Sequence, residues 1–264
     1  MKKRSRLLLG VVHLRPLPSA PGHRSIADIV ERALRDATAY ARGGFDGLVV
    51  ENFGDVPFHK GNREDPVPPD VPAMLAVVGA ALRDALGLPL AINCLRNDGI
   101  AALGAAAACG ARWIRVNVLS GAYATDQGII EGEAARLFAY KRQLGRSAAG
   151  IEVLADVHVK HATPLGERDL GIAARDLAER SGCAGIVLSG TRTGEPVAVE
   201  ELDTARAAVG RFPLWIGSGL TAANAAELWP RCDGAIVGTA VKRGGRVNEP
   251  VDPARVRALR RACR

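Results

Sequence analysis

Short apolar runs alternate with longer amphipathic or alanine-rich stretches along the whole chain. Leu7–His13 is a continuous apolar run that ends in a polar residue, which is typical of a strand buried on both faces of a parallel sheet. After it, Ser25-Ile26-Ala27-Asp28 has the pattern of a capping box and predicts the start of a helix that runs to about Arg42. The alternation continues and predicts eight strands and eight helices. This order indicates a single (β/α)8 TIM-barrel domain over residues 1–264.

The other elements are predicted from run length, capping and alternation. The remaining strands are predicted at residues 46–52, 89–94, 112–119, 150–160, 184–189, 214–216 and 235–237. The remaining helices are predicted at residues 71–86, 99–109 with Asn97 or Asp98 as the cap, 130–144, 169–181, 199–209, after Thr221 through residues 222–224, and after Asp252-Pro253. Residues 120–128 are expected to form a loop.

The fourth predicted strand departs from the apolar pattern of the others. One face carries only aliphatic residues, and the opposite face carries Trp113, Arg115 and Asn117. If the aliphatic face meets the helices, Arg115 and Asn117 point into the barrel. Because an unpaired charge inside a barrel is strongly unfavourable, we expect Arg115 to have a carboxylate partner or a ligand.

Polar side chains stand at the carboxyl end of nearly every predicted strand. That end of a parallel barrel carries the ligand site, so we expect these residues to converge there. The set is His13, Glu51, Asn52, Asn93, Arg115, Asn117, Asp156, His158 and Ser189. The alternative for each residue taken singly is that it only makes a structural hydrogen bond. The convergence of the whole set favours a binding or catalytic site.

Residues 155–161, with the sequence ADVHVKH, are the run richest in reactive side chains. Alternation in an extended chain places Asp156, His158 and Lys160 on one side. We expect Asp156 and His158 to act as acid and base, because histidine titrates near neutral pH and a neighbouring carboxylate orients it. Glu51, if it points inward, supplies a second carboxylate or pairs with Arg115.

Two further roles remain open for these residues. Lys160 lies beyond the strand end and is either a solvated or phosphate-pairing lysine or, if desolvated, a Schiff-base lysine. His13, Asp156 and His158 are also candidate ligands for a divalent metal, although they form no short metal-binding motif.

Two glycine-containing turns, Gly217-Ser218-Gly219 and Gly238-Thr239-Ala240, close the last two predicted strands. Small residues let a ligand approach the backbone N–H groups, and Thr221 is expected to cap a helix whose N-terminus attracts an anion. Phosphate sites of (β/α)8 barrels commonly follow the seventh and eighth strands, so we predict that these two turns bind a phosphate. The alternative is that the glycines only permit tight strand-to-helix turns.

Residues 53–70 form a long segment too rich in proline, glycine and charge to be regular. It follows a strand and is expected to lie over the ligand end of the barrel. Loops of this length in compact domains are often lids, and a solvated insertion is the alternative.

Composition is compatible with one soluble domain. A chain of 264 residues with 48% hydrophobic side chains can bury a full barrel core. No apolar segment approaches the ~20 residues of a membrane span, and the N-terminal apolar stretch is too short for a signal peptide, so we expect a cytoplasmic protein. The five cysteines form no C-x-x-C pair, which favours buried small side chains over disulfides or a zinc site.

The net charge of +7 is concentrated partly in residues 2–6 and 255–264. Both ends of such a barrel lie on the face opposite the ligand loops. The basic residues lack interleaved aromatic residues, so we expect a solvated surface, no nucleic-acid partner and at most weak peripheral contact with an anionic membrane. The alanine-rich helix faces permit self-association, and we expect a homo-oligomer.

Several long motifs resemble the BtpA/SgcQ family essentially from end to end. They are residues 10–18 (GVVHLRPLP), 50–58 (VENFGDVPF), 115–119 (RVNVL), 125–132 (TDQGIIEG), 155–162 (ADVHVKHA), 217–219 (GSG) and 233–239 (DGAIVGT). The family is similar to phosphate-binding barrels that handle phosphorylated sugars and ribosides, and its cyanobacterial name-giver is known as a factor for accumulating photosystem I reaction-centre proteins. The resemblance implies a set of candidate site residues without inherited roles, namely Glu51, Asn52, Asp55, Asn117, Asp126, Gln127, Asp156, His158 and Lys160.

Two hypotheses about function follow. The first is an enzyme that acts on a sugar phosphate or riboside phosphate by general acid/base chemistry, with isomerisation, epimerisation, aldol cleavage and hydrolysis all open. The second, implied by the resemblance, is a non-catalytic factor for photosystem I assembly or stability. The inward polar residues favour the first, because a scaffold has no use for Arg115, Asp156 and His158 in a barrel mouth.

Overall fold

The computed structural model describes residues 6–166, 169–190 and 194–264. Its strands are β1 Leu7–His13, β2 Gly47–Glu51, β3 Leu90–Asn93, β4 Trp113–Val116, β5 Ala122–Thr125, β6 Gly128–Glu131, β7 Glu152–Val157, β8 Ala162–Pro164, β9 Gly185–Leu188, β10 Leu214–Ile216 and β11 Gly234–Val237. Eight of them close into a parallel barrel in the order β1-β11-β10-β9-β7-β4-β3-β2. The predicted TIM-barrel fold is therefore confirmed.

Helices follow the barrel strands and cover the outside of the sheet. They are α1 Ile26–Arg42, α2 Asp70–Leu86, α3 Gly99–Cys109, α4 Ala134–Leu144, α5 Leu170–Arg180, α6 Val199–Val209, α7 Ala225–Leu228 and α8 Pro253–Ala262. Side-chain caps fix several of their starts: Ser25 Oγ accepts from the Asp28 amide at 3.1 Å, and Asp98, rather than Asn97, accepts from the Ala101 amide at 2.8 Å. None of the helices in the described ranges combines the length and the apolar character that a membrane crossing requires.

The core has two layers. A small apolar cluster fills the barrel interior, where the rings of Trp113 and Trp215 meet edge to face at a centroid distance of 6.4 Å. A larger cluster lies between the strands and the helices and contains Ile114 and Val116. The alternation predicted for β4 is thus confirmed, and Arg115 lies inside the barrel. Arg115 follows Trp113 on the same face of β4 and therefore lies nearer the carboxyl end of the barrel.

The segment between β4 and α4 differs from the prediction. Residues 122–131 form the antiparallel hairpin β5–β6, to which β8 adds a third strand, so the helix predicted from Ile130 begins only at Ala134. Tyr123 and Ile130 pack with Val118 and Val159 in a separate apolar cluster. These alternating large apolar residues favour a strand with one buried face, which the expectation of a loop overlooked.

The helix predicted after Thr221 is also wrong in its position. Residues 222–224 form a turn, and α7 has only four residues, Ala225–Leu228. Thr221 and Asn224 bond to each other across this turn, since the Thr221 amide donates to Asn224 Oδ1 at 2.7 Å and the Asn224 amide donates to Thr221 Oγ1 at 3.2 Å. A helix dipole therefore contributes little to anion binding at this turn.

Candidate functional site

A buried ion pair joins β4 to β7 in the upper part of the barrel. Arg115 Nε and Nη2 donate to the two carboxylate oxygens of Asp156, both at 2.8 Å, and Asn117 Nδ2 donates to Asp156 Oδ2 at 3.1 Å. The Arg115 and Asp156 side chains are only 3% and 1% exposed. The carboxylate partner expected for Arg115 is therefore present. Three hydrogen bonds therefore fix the Asp156 carboxylate in place.

The two glycine turns line a small cavity of about 30 Å³, which we call the glycine cavity. Its other lining residues include His13, Glu51, Arg115 and Lys160. A Cβ on Gly217 would collide with Ser189 Oγ and Val187, and one on Gly238 would lie 2.6 Å from the His13 ring. Packing alone therefore requires glycine at these two positions, and the Gly217 amide is already engaged, because it donates to the Leu188 carbonyl at 2.8 Å.

Two residues that line the glycine cavity carry buried polar atoms without hydrogen-bond partners among the described residues. Within the described ranges, Ser218 Oγ and His13 Nδ1 are buried and unpaired, and both residues line the glycine cavity. Buried polar groups in proteins are nearly always paired, and an unsatisfied one costs about 1–3 kcal/mol. Both atoms are therefore candidates for a hydrogen bond to a polar ligand.

A second cavity of about 290 Å³ lies directly beside the first, and we call it the outer cavity. Residues of the predicted lid segment form its apolar wall, namely Phe53, Val56, Pro57 and Phe58. The polar lining consists of Arg96, Asn117, Asp126, Gln127 and His161. Glu51, Arg115 and Lys160 line both cavities, so these three residues mark their junction.

Glu51 and Lys160 are titratable groups at this junction with shifted pKa values. Unlike Arg115, neither forms a buried ion pair with another described residue. Burial raises the pKa of Glu51, while the positive charges of Arg115 and Lys160 oppose that shift. Burial, assisted by the charge of Arg115, lowers the pKa of Lys160 to about 8. None of the described residues forms a hydrogen bond or an ion pair with Lys160 Nζ. A carboxyl and an amine shifted toward neutrality are suited to exchange protons near pH 7.

His13 completes the floor of the glycine cavity as a neutral side chain. Its ring packs against Phe53 at a centroid distance of 4.7 Å, and its Nε2 lies 3.6 Å from Glu51 Oε1. Burial and the nearby charge of Lys242 lower the pKa of His13 well below its usual value. The contact with Glu51 is therefore a polar contact of a neutral imidazole and not an ion pair.

His158 does not share a side with Lys160, contrary to the alternation prediction. β7 ends at Val157, and His158 has φ +48°, so the extended backbone is interrupted between Asp156 and Lys160. His158 lines a separate cavity of about 480 Å³, whose lining also includes Asp156 and, from α5, Arg180. Lys160, in contrast, lines the cavities at the barrel mouth. Over the described ranges, no group of three or more His, Cys, Asp or Glu residues is arranged to hold a metal, so His13, Asp156 and His158 form no common cluster.

Some of the remaining predicted site residues make structural hydrogen bonds, and others line a cavity. Asn52 accepts from the Leu95 amide at 2.7 Å and donates to Asp55 at 3.0 Å, outside the two mouth cavities. Asn93 Nδ2 donates to the Arg115 carbonyl at 3.1 Å. Ser189 Oγ lies beneath Gly217, buried and unpaired. In the outer cavity, Gln127 Nε2 donates to Asp126 Oδ2 at 2.7 Å.

Sequence reasoning missed Arg96, which lines the outer cavity. Arg96 Nη2 donates to the Lys160 carbonyl at 2.7 Å and so fixes the backbone that carries the lysine. The signal was present, because Arg96 follows the third barrel strand, and residues after barrel strands belong to the ligand end. The selection of residues that close each strand includes Asn93 but stops short of Arg96.

Comparison with known proteins places the chain among relatives of similar length. The sequence pattern of the BtpA family matches residues 4–264. The chain is 46% identical over 253 residues to the photosystem I biogenesis protein BtpA of Synechocystis sp., which covers 96% of this chain and 86% of that one. It is 47% identical over 253 residues to an uncharacterized protein of Thermococcus kodakarensis, with 96% and 93% covered.

Solved structures with the same fold include enzymes. N-(5'-phosphoribosyl)anthranilate isomerase from Pyrococcus furiosus matches with a TM-score of 0.57 and 14% identity, over 98% of each chain. Mycobacterium tuberculosis tryptophan synthase matches with a TM-score of 0.64 and 16% identity, over 99% of this chain and 93% of that chain. At these identities, the likeness concerns the fold alone.

Proposed function

We propose that this chain, which belongs to the BtpA family, binds a phosphorylated small molecule and catalyses acid/base chemistry on it at the barrel mouth. One observation carries the proposal. The glycine cavity, with its Ser218 hydroxyl unpaired among the described residues, shares Glu51 and Lys160 with an outer cavity of about 290 Å³, which can hold the rest of a small ligand. A ligand with its anionic end in the glycine cavity therefore presents its adjacent carbon atoms to both titratable groups.

The chemistry of the glycine cavity favours a phosphate as the anionic end. Its turns follow the last two barrel strands, where phosphate sites of (β/α)8 barrels commonly lie. Ser218 Oγ supplies a hydroxyl donor, and Lys160 supplies positive charge. The phosphoribosyl group in the name of one structural neighbour agrees with such a ligand, but the proposal depends on the residues of this cavity.

The acid/base roles fall to Glu51 and Lys160 in this proposal, and Asp156 holds Arg115 in place. The raised pKa of Glu51 and the lowered pKa of Lys160 bring both groups toward neutral pH. Binding of the remote phosphate positions the reacting carbon, and the wall made by Phe53 and Phe58 limits access of water to it. Isomerisation, epimerisation, aldol cleavage and hydrolysis are all compatible with this pair.

Ser218→Ala separates ligand binding from fold stability. Because Ser218 Oγ has no partner among the described residues, we expect the variant to unfold at the same temperature as the wild type or slightly higher. A hydrogen bond to a charged phosphate is worth about 1.5–3 kcal/mol, so the affinity for phosphate should fall about 10- to 100-fold. The measurement is a thermal-shift titration with inorganic phosphate, ribose 5-phosphate and unphosphorylated ribose. At a concentration of 100 times Kd, the ligand stabilises the fold by about 2.7 kcal/mol.

Ser181→Ala is the matched control. Ser181 is also buried, but its Oγ donates to the Leu177 carbonyl at 2.6 Å and lies outside the glycine cavity. This variant should lose about 1 kcal/mol of stability and retain the wild-type phosphate affinity. The proposed function is wrong if no phosphorylated compound shifts the wild-type melting temperature, or if Ser218→Ala and the control bind phosphate equally.

A non-catalytic role in photosystem I biogenesis is the second candidate. It is favoured by the name of the Synechocystis relative, which is 46% identical to this chain. Complementation in a strain lacking its own relative distinguishes the two roles. An enzyme requires Glu51 and Lys160, so Glu51→Gln and Lys160→Arg should fail to complement, whereas a scaffold should tolerate both changes.

A further inference from the structure

We propose that Lys160 forms a Schiff base with the carbonyl carbon of a phosphorylated aldehyde or ketone held between the glycine cavity and the outer cavity. This inference rests on the proposed phosphate site and narrows the substrate to phosphorylated compounds with an open-chain carbonyl group. It also assigns Lys160 a nucleophilic role beyond proton transfer.

Lys160 lies at the junction of the glycine cavity and the outer cavity. Three residues line both cavities, and two of them are unsuited to nucleophilic attack on a carbonyl. Arg115 is bound to Asp156 through two 2.8 Å hydrogen bonds, and Glu51 is a carboxyl group. A phosphate in the glycine cavity places the next carbon atoms of the ligand at this junction, where Lys160 is the remaining nucleophile.

The surroundings of Lys160 leave its amine available for attack on a carbonyl carbon. No described residue gives its Nζ a hydrogen bond or an ion pair, so attack requires no such contact to be broken. Its backbone carbonyl accepts from Arg96 at 2.7 Å, which anchors the residue at the mouth. The pKa of about 8 leaves about one amine in ten unprotonated at pH 7, against about one in a few thousand for an ordinary lysine.

The step conserves atoms and charge with the residues present. The Lys160 lone pair attacks the carbonyl carbon, the C–O π electrons move to oxygen, and the transferred amine proton neutralises that oxygen. In its protonated form Glu51, whose pKa is raised by burial, then gives a proton to the departing hydroxyl, which leaves as water. The nitrogen lone pair forms the C=N bond. Loss of the remaining N–H proton to Glu51 restores the carboxyl group and leaves the imine.

Reductive trapping tests the proposal. The protein is incubated with glyceraldehyde 3-phosphate and sodium cyanoborohydride, and the modified lysines are identified by peptide mass mapping. We expect Lys160 to be labelled at least about ten times faster than Lys60, which lies in the segment bordering the outer cavity but does not line it. Labelling should increase from pH 6 to pH 8 as the amine loses its proton, and inorganic phosphate should suppress it. Unphosphorylated glyceraldehyde should label Lys160 more slowly.

Lys160→Arg is the decisive variant. Arginine keeps a positive charge that can pair with phosphate but does not form an imine. Loss of the adduct in this variant, with the phosphate-induced thermal shift retained, supports the Schiff base. If wild-type Lys160 is labelled no faster than Lys60 while phosphate still raises the melting temperature, the Schiff base is wrong and the phosphate site remains. If neither labelling nor a thermal shift occurs, both proposals are wrong.

Discussion

Arg115→Met should destabilise the fold by about 3–5 kcal/mol, because it leaves the Asp156 carboxylate buried without its ionic partner. The two side chains are 3% and 1% exposed, so water replaces the lost contacts only poorly. Urea unfolding of the wild type and the variant at pH 7 measures the difference. Asp156→Leu should cost a similar amount for the same reason, since Arg115 remains charged.

Two controls distinguish a buried charge from a simple loss of contacts. The double variant Arg115→Met/Asp156→Leu should recover most of the lost stability, because neither charge is then buried. Arg136→Met removes an exposed ion pair with Glu133 and should cost no more than about 1 kcal/mol. If the double variant is as unstable as the sum of the two single variants, the ion pair has been assigned the wrong energetic role.

Lys160→Met should stabilise the fold by up to about 3 kcal/mol at pH 7 while abolishing any activity that needs the amine. The pKa of Lys160 falls from 10.5 to about 8 on folding, so the folded state disfavours the charged form. Between these two pH values the unfolded chain binds more protons, and wild-type stability therefore rises with pH through this window. The penalty is fully present below pH 8, and the advantage of the variant should disappear by about pH 10.5.

The measurement is urea unfolding of the wild type and Lys160→Met at pH 7, 9 and 10, with the difference in free energy taken at each pH. Lys141→Met is the control, because Lys141 Nζ donates to the Ile151 carbonyl at 2.5 Å and the change should cost stability at every pH. A variant no more stable than the wild type at pH 7 would show that Lys160 is well solvated in the folded state.

The sequence was sufficient to predict the barrel because each element carries its own signal. Leu7–His13 and Gly234–Val237 are apolar on both faces, as central parallel strands must be, and they pair directly where the barrel closes. Ser25 and Asp252 cap the first and last helices with their side chains. The hairpin of residues 122–131 was missed because its strands are short and are stabilised by contacts with residues beyond them in sequence, including Val159.

The candidate site was predictable up to the ends of the strands. Inside a strand, alternation correctly placed Arg115 in the barrel, and the position of Glu51 followed from the end of β2. Beyond Val157 alternation no longer applies, because His158 and His161 both have positive φ. His158, assigned with Asp156 to acid/base chemistry, therefore lines another cavity, and the catalytic roles of both residues remain predictions without structural support at the mouth.

The sequence by itself determined the order of strands and helices, the inward face of β4 and the small residues of the two turns. These properties depend on local periodicity and on side-chain volume at single positions. Only the tertiary structure decided that Asp156 is held by Arg115, that Lys160 returns to the mouth, and that its amine has no hydrogen-bond or ion-pair partner among the described residues. The pairing, burial and pKa values of these side chains depend on the groups that β2, β4, β7 and the loops bring together. Distances in space between these groups are not encoded in any one segment.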